Sequence, residues 1–259
     1  MVTIINWNIN SINVRITQLK ELINNLAADI VLLQEIKCTK ENFPYTELED
    51  QGYNIVISGQ KTYNGVAILS KSTIEDVRFN LPNINNNEAR YIDAFTIVED
   101  IPLRIASVYV PNGSEIGSVK FQQKLNFFEK LHVHLKNLRK QEENIVIAGD
   151  FNAAPSNIDV YNSKHLDGKI GFHPDERMWF RKLLNTGYLD SYRIVNPDTH
   201  EYSWWDYRKS GWQQNKGMRI DHILLSPQVM DIVENVTIFS KARTWIKPSD
   251  HAPVVCKLK

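Results

Sequence analysis

The sequence predicts an α/β fold in which β-sheets pack together inside and helices lie outside. Three observations carry this. Strand-like runs at residues 30–33 (Ile-Val-Leu-Leu) and 145–148 (Ile-Val-Ile-Ala) are apolar throughout rather than alternating, so both of their faces must be buried. Two stretches place apolar residues at helical spacing: Ile12, Ile16, Leu19, Ile23 and Leu26, then Phe121, Leu125, Phe128, Leu131, Leu135 and Leu138. Strands and helices interleave along all 259 residues with no Pro/Gly/Ser-rich linker and no fixed short repeat, so residues 1–259 read as one domain.

In chain order, residues 2–7 form a buried first strand that ends in Asn8 and Asn10, and Ser11 stands where it can cap the helix that follows. Residues 29–35 are a second strand. After a loop containing Phe43 and Pro44, strands are expected at 52–58 and 65–70, and 81–88 is a polar, Asn-rich loop. Strands at 90–98 and 103–110 read as a hairpin around Glu99 and Asp100. The helix over 118–139 is expected to carry Lys120, Lys124, Lys130, Lys136 and Arg139 on a solvated outer face, with Lys120 and Lys124 the members placed for a phosphate contact. The strand at 145–148 follows, then a helical stretch near 176–184, an aromatic segment at 202–212, and strands at 220–225, 236–239 and 252–258.

Thirty basic residues balance thirty acidic ones, so any contact with a polyanion must come from a local patch. Cys38 and Cys256 lie far apart without metal-ligand spacing, as expected in a reducing compartment. The chain enters a strand pattern at once, leaving no room for a signal peptide, and no apolar run approaches membrane-spanning length. The expectation is a cytoplasmic protein, nucleoid-associated if bacterial, or else a nuclear or organellar one, with no membrane partner.

The strand at 145–148 runs into Gly149, Asp150, Phe151 and Asn152. A carboxylate at the tip of a core strand needs a partner. A turn capped by Asp150 and Asn152 is one reading, but other strand ends deliver polar residues too: Asn8, Glu35, Tyr109 with Asn112, Asp221, and Asp250 with His251. Phosphodiester hydrolysis needs such a set. Glu35 suits a hard divalent cation, and Asn8 with Asp250 could complete its shell. Asp150 is the candidate base. Asn152, Asn112, Tyr109 and a protonated His251 can donate to phosphate, with Asp221 orienting the histidine. Each residue also has a structural reading: Glu35 as a surface charge, Tyr109 as a core-edge tyrosine, Asp221 in an ion pair with Arg219, Asn8 as a backbone cap, and Asp250-His251 as a turn before Pro253.

Together, residues 8–10 (Asn-Ile-Asn), 33–35 (Leu-Gln-Glu), 108–113 (Val-Tyr-Val-Pro-Asn-Gly), 149–152 (Gly-Asp-Phe-Asn), 219–222 (Arg-Ile-Asp-His) and 249–253 (Ser-Asp-His-Ala-Pro) resemble the exonuclease/endonuclease/phosphatase superfamily. Residues 52–54 (Gly-Tyr-Asn), 59–61 (Gly-Gln-Lys), 205–208 (Trp-Asp-Tyr-Arg) and 247–251 narrow the resemblance to the exonuclease III branch of abasic-site endonucleases, from first strand to last. The resemblance implies a DNase I-like four-layer α/β sandwich. It implies a base-excision-repair nuclease, dependent on Mg²⁺ (or Mn²⁺) with one or two ions bound, that cuts DNA 5′ to an abasic site and leaves a 3′-hydroxyl. Bacterial members add 3′→5′ exonuclease, 3′-phosphatase and 3′-phosphodiesterase activity. The implied partner is double-stranded DNA with abasic sites or blocked 3′ ends, met by a monomer.

By motif position, the resemblance makes Glu35 the main metal ligand with Asn8 and Asp250 beside it. Where a second metal is bound, the resemblance puts it near Asp150, Asn152 and His251, and the number of ions stays open at one or two. Asp150 is then the base, Asn152 helps to place phosphate and water, His251 paired with Asp221 faces the phosphate, and Tyr109 and Asn112 lie alongside. Trp204, Met218 and Ile220 fall where the family has a small apolar pocket for the baseless sugar, although Trp204, Trp205 and Tyr207 also read as core or sheet-edge aromatics, Trp205 above all. Arg90 matches a backbone-contacting arginine, and Lys120, Arg208, Lys216 and Arg219 are candidates for the local basic patch. Asn112 stands where many bacterial members have Gln, which leaves the balance of endonuclease and exonuclease open. RNA deadenylases, sphingomyelinases and inositol-phosphate phosphatases share the catalytic core; the Trp-Asp-Tyr-Arg segment favours the abasic-site branch over these, and the full set of acids and bases favours an enzyme over a non-catalytic DNA-binding module.

Overall fold

A computed structural model describes residues 1–84 and 88–259; the expected Asn-rich loop at 81–88 lies partly outside the described residues. The chain runs through β1 (Val2–Asn8), α1 (Ile12–Leu26), β2 (Ile30–Gln34), α2 (Tyr45–Glu49), β3 (Asn54–Ser58), β4 (Val66–Ser70), β5 (Ile74–Phe79), β6 (Tyr91–Val98), β7 (Ile101–Tyr109), α3 (Val119–Leu138) and β8 (Ile145–Asp150). It continues through α4 (Ser163–Leu166), α5 (Pro174–Leu184), β9 (Leu189–Asp190), α6 (Ser191–Val195), β10 (Trp204–Trp205), β11 (Gly217–Met218), β12 (Asp221–Leu225), α7 (Pro227–Met230), β13 (Val233–Ile238) and β14 (Val254–Leu258).

Two six-stranded mixed sheets result, in the orders β13-β14-β1-β2-β4-β3 and β5-β6-β7-β8-β12-β9. Each holds a parallel pair, β1 with β2 and β7 with β8, bridged by α1 and α3 respectively. Side chains alternate between two apolar environments. From β1, Ile4 enters the core shared by the two sheets while Ile5 and Trp7 pack under α1. From β8, Val146 and Ala148 enter the shared core while Ile145 and Ile147 meet Phe127, Phe128 and Phe180 of α3 and α5. Burial on both faces explains why these strands are apolar without a break, and the layers stack helix–sheet–sheet–helix.

Two helices differ from expectation in detail. Ser11 precedes α1, but its side chain caps nothing. The first helical donors are met by the chain leaving β2, with Ser11 N–H on the Glu35 carbonyl (2.7 Å) and Ile12 N–H on that of Ile36 (3.2 Å). In α3, Ser118 does cap, accepting from Phe121 N (3.2 Å), but Lys124 points inward and is fully buried while Leu125 is half-buried. Lys124 stands three residues after Phe121 and four before Phe128, so helix geometry places it on the apolar face. The hairpin turn at Glu99 and Asp100 has φ of 49° and 62°, the left-handed pair that suits the twist of the flanking strands.

The topology gathers one set of residues at one edge of the sandwich. Asn8 ends β1, Glu35 follows β2, Tyr109 ends β7 and Asp150 ends β8, all at the carboxyl ends of the parallel strands. Asp221 opens β12 directly opposite Asp150, and Asp250-His251 lead into β14. Gly149 lets β8 approach: a Cβ there would stand 1.9 Å from the Val108 carbonyl oxygen. Among the described residues, no helix is long and apolar enough to cross a membrane.

Candidate active site

Asn8 joins the two sheets. Its Nδ2 donates to Glu35 Oε1 (2.9 Å) and to Asp150 Oδ2 (3.0 Å), while its Oδ1 accepts from Asn10 N (3.1 Å). The amide nitrogen, rather than the oxygen a metal would take, therefore faces the two carboxylates. Lys37 Nζ pairs with Glu35 Oε2 at 2.7 Å. Asp150 Oδ1 accepts from Asn152 N (2.8 Å), and Asn112 Nδ2 donates to Asn152 Oδ1 (3.0 Å). Glu35 and Asn152 have φ of 49° and 50°, so left-handed backbone on non-glycine residues flanks the site.

His251 Nδ1 lies 2.9 and 3.1 Å from the Asp221 oxygens, and its Nε2 lies 3.7 Å from Asp150 Oδ2. Asp221 is steadied through its backbone, because Ser203 Oγ accepts from both Ile220 N and Asp221 N (3.0 Å each). Burial opposes the charged form of the His251 ring, yet Asp221 and Asp150 outweigh it and raise the imidazole to about 10. Burial pushes Asp150 the other way for a base: with Asp221 and Glu35 nearby it overcomes the pull of His251 and lifts the carboxyl to about 7. Glu35 is also desolvated, but Lys37, the Asn8 amide and His251 hold its carboxyl below the usual value. Burial, then Glu35 and Asp150, keep the Tyr109 hydroxyl protonated far beyond the ordinary tyrosine range.

Glu35, Asp150 and His251 each present a possible ligand atom, all within 4.8 Å of one another. The donor chemistry fits a hard divalent cation through the two carboxylates, whose mutual repulsion a cation would relieve. Metal binding needs a neutral imidazole, which Asp221 opposes, so His251 is better suited to donate to an anion. Asp250 also lines the cavity, its oxygens accepting from Trp204 Nε1 (3.0 Å) and Asn10 Nδ2 (2.9 Å).

These residues open onto a cavity of about 640 Å³. Glu35, Tyr109, Asn112, Asp150, Asn152 and His251 line it together with Trp204, Met218 and Ile220. The apolar side is extended by Leu166, Val160, Phe172 and Ala154, and Ile170 and Gly171 also reach the cavity. This contribution from residues 154–172 had no periodic signal in the sequence. Arg208 and Lys216, two of the basic-patch candidates, line the cavity, and so does Lys169, which no sequence signal marked. Lys120 is exposed on the first turn of α3. Arg90 lies over the Tyr109 ring at 4.7 Å and pairs with Glu88 (2.8 Å). Trp205 is 2% exposed and belongs to the core.

Arg219 does not join the basic patch. It alternates with the cavity-facing Met218 and Ile220, points the other way and is fully buried. Its guanidinium donates to Asp159 (2.7 Å), to both oxygens of Asp190 (3.0 and 2.7 Å) and to His222 Nδ1 (2.9 Å), leaving His222 Nε2 to donate to the Ala153 carbonyl (2.9 Å). The ion cluster braces the back of the pocket wall, and no phosphate can reach it.

The family profile described as "Endonuclease/Exonuclease/phosphatase family" matches residues 5–251. Exodeoxyribonuclease III of Haemophilus influenzae is 37% identical over 264 aligned residues, spanning 98% of this chain and 99% of the relative. Among solved structures, a 3′ phosphatase from Neisseria bound to a product DNA hairpin superposes with a TM-score of 0.96 at 38% identity, over 100% of each chain. An AP endonuclease from Archaeoglobus fulgidus gives 0.94 at 34% identity, again over 100% of each chain. With two facing sheets, carboxylates at their strand ends and this likeness along its whole length, the chain belongs to the endonuclease/exonuclease/phosphatase family.

Proposed function

We propose that this protein is a metal-dependent DNA repair nuclease that hydrolyses the phosphodiester 5′ to an abasic site in duplex DNA and leaves a 3′-hydroxyl. It also trims 3′ ends as an exonuclease and removes 3′ blocks as a phosphatase and phosphodiesterase. The observation that carries this reading is one cavity in which buried Asp150 faces the Asp221-held His251 while Trp204, Met218 and Ile220 form an apolar wall. Relatives named as an exodeoxyribonuclease III, a 3′ phosphatase and an AP endonuclease support it.

Asp150 takes a proton from the water whose oxygen attacks phosphorus. The bond from phosphorus to the upstream 3′ oxygen breaks, its electron pair stays on that oxygen, and solvent returns a proton to give the 3′-hydroxyl. His251 Nε2–H, the Tyr109 hydroxyl and the free amide hydrogen of Asn112 donate to the phosphate oxygens as charge builds there. Glu35 and Asp150 would hold Mg²⁺ or Mn²⁺, which supplies Lewis-acid neutralisation of the phosphate. The apolar wall admits a sugar without a base and excludes an intact nucleotide by size, and a missing base makes extrusion cheap. Lys169, Arg208 and Lys216 at the cavity give a chain of zero net charge its local hold on the DNA backbone.

Two variants probe the metal and the pocket. Glu35→Ala should lower cleavage at limiting Mg²⁺ by about 100-fold and recover in part as Mg²⁺ is raised; a loss of the same size at every Mg²⁺ concentration would remove Glu35 from metal binding. Gly171 has φ of 83°, and a Cβ on it would lie 2.9 Å from Met218 Cε. Gly171→Ala should therefore press Met218 into the cavity and reduce cleavage at an abasic analogue by about tenfold. Unchanged kinetics would show that Met218 does not bound the sugar site.

The function itself is tested on an end-labelled duplex carrying one tetrahydrofuran abasic analogue, with Mg²⁺ and with EDTA. The analogue cannot undergo β-elimination, so a single Mg²⁺-dependent cut 5′ to it is hydrolytic and is the result expected. Shortening from the 3′ end without that cut would make the enzyme a 3′-trimming nuclease alone, and no cleavage would reject the reading.

A further inference from the structure

Lys124 and Glu176 form an ion pair with both side chains fully removed from solvent (0% exposed). The three ammonium donors are all engaged, on Glu176 Oε1, on the Asn152 carbonyl (2.7 Å) and on the Asn112 carbonyl (3.1 Å). Asn112 belongs to the loop after β7, and Asn152 to the loop after β8. Their side chains bond one another (3.0 Å), and the Asn152 N–H holds the Asp150 carboxylate (2.8 Å). The remaining oxygen of Glu176 accepts from His173 N (2.9 Å), which ties the start of α5 to the same point. The lysine stem is confined as well: a Cβ on Gly113 would stand 3.1 Å from Lys124 Cδ.

A buried ion pair is a weak source of stability, since apolar residues of similar volume serve as well or better. One ammonium directed at two carbonyls supplies what apolar packing cannot, a fixed spacing between two loops. We propose that Lys124 is a positioning residue: with Glu176 as its counter-charge, it locks the loops after β7 and β8 at the separation at which Asn152, its own amide on the Val110 carbonyl (2.9 Å), holds the Asn112 amide toward the scissile phosphate. The proposal rests on the phosphate-donating role given above to Asn112, which its pairing with Asn152 holds in place. Lys124 lies behind them and touches no substrate.

Lys124→Met alone would strand a buried carboxylate, so the test uses Lys124→Met with Glu176→Gln. That pair buries no charge and keeps a carbonyl for His173 N. The double variant is expected to unfold within about 5 °C of the unsubstituted protein. Its KM for the tetrahydrofuran duplex should stay within about threefold while kcat falls about 10- to 100-fold, the effect of a displaced reacting geometry. In substrate-free protein, hydrogen exchange at the Asn112 side-chain amide should quicken about tenfold or more as its donation to Asn152 Oδ1 loosens. A folded double variant with normal kcat overturns the proposal, and so does unchanged amide exchange. Because exchange is read without substrate, it decides the positioning role even where the unsubstituted protein cuts no abasic duplex, a result that would instead reject the function proposed above.

Discussion

Asp150→Asn is expected to lower kcat by about 10³- to 10⁴-fold, the upper range for loss of a positioned general base, in a protein that folds at least as well as the original. Both halves follow from one environment. Asp150 is fully enclosed between Asn8, Asn152, His251 and Asp221, and burial lifts its carboxyl to about 7. A carboxyl raised in the folded state keeps a proton that the unfolded chain has lost, so its contribution to stability falls as pH rises from the ordinary carboxylate value to about 7. Asn has the same shape and no charge to bury, a gain that outweighs the one acceptor lost between its two donors, Asn8 Nδ2 and Asn152 N. Thermal unfolding in EDTA should therefore show a midpoint for Asp150→Asn at pH 8 equal to or above that of the unsubstituted protein, and a smaller gap or a reversed order at pH 5. Single-turnover cleavage measures the other half. Turnover within about tenfold of normal would mean that another group takes the proton.

The fold was largely legible because the strands that build the shared core are buried on both faces and carry unbroken apolar runs, as in β2 and β8. β5 was missed for the opposite reason: at a sheet edge its residues are half-buried or exposed and form no run. The two-residue strands β9, β10 and β11 exist only through their tertiary partners. Residue character misled where position decided. A lysine on a charged helix reads as outward, although the spacing of Lys124 from Phe121 and Phe128 places it inside, and Arg219 reads as a candidate for the basic patch, although strand alternation turns it from the cavity. Ser11 had the chemistry of a cap, but the Glu35 and Ile36 carbonyls already held the donors. Candidate site residues stood out because each interrupts or follows an apolar strand. Their convergence did not, since it depends on contacts such as that between Asn8 and Asp150, 142 residues apart.

Asp221→Asn should lose activity chiefly from the alkaline side. Turnover by the proposed route needs Asp150 ionised and His251 protonated, so the rate rises through the carboxyl value, at or below about 7 once a cation is bound, and falls through the imidazole value near 10. Burial alone would strip the proton from His251 earlier; Asp221, ahead of Asp150, prevents this. A histidine whose folded value is raised keeps its proton up to that value, so removing the Asp221 charge moves the alkaline limb down toward neutrality. The same charge also raises Asp150, so the acidic limb moves down too and the optimum shifts to lower pH. Near pH 8.5 the shift combines with a ring no longer fixed through Nδ1, and kcat should fall by about 10³- to 10⁴-fold. The pH profile of kcat/KM from 5.5 to 10.5 separates this from simple damage: a profile scaled down with both limbs in place would make Asp221 a structural support only. Displaced limbs would mean that one buried carboxylate sets both ends of the working range, holding a proton on His251 for the phosphate while making Asp150 basic enough to take one from water.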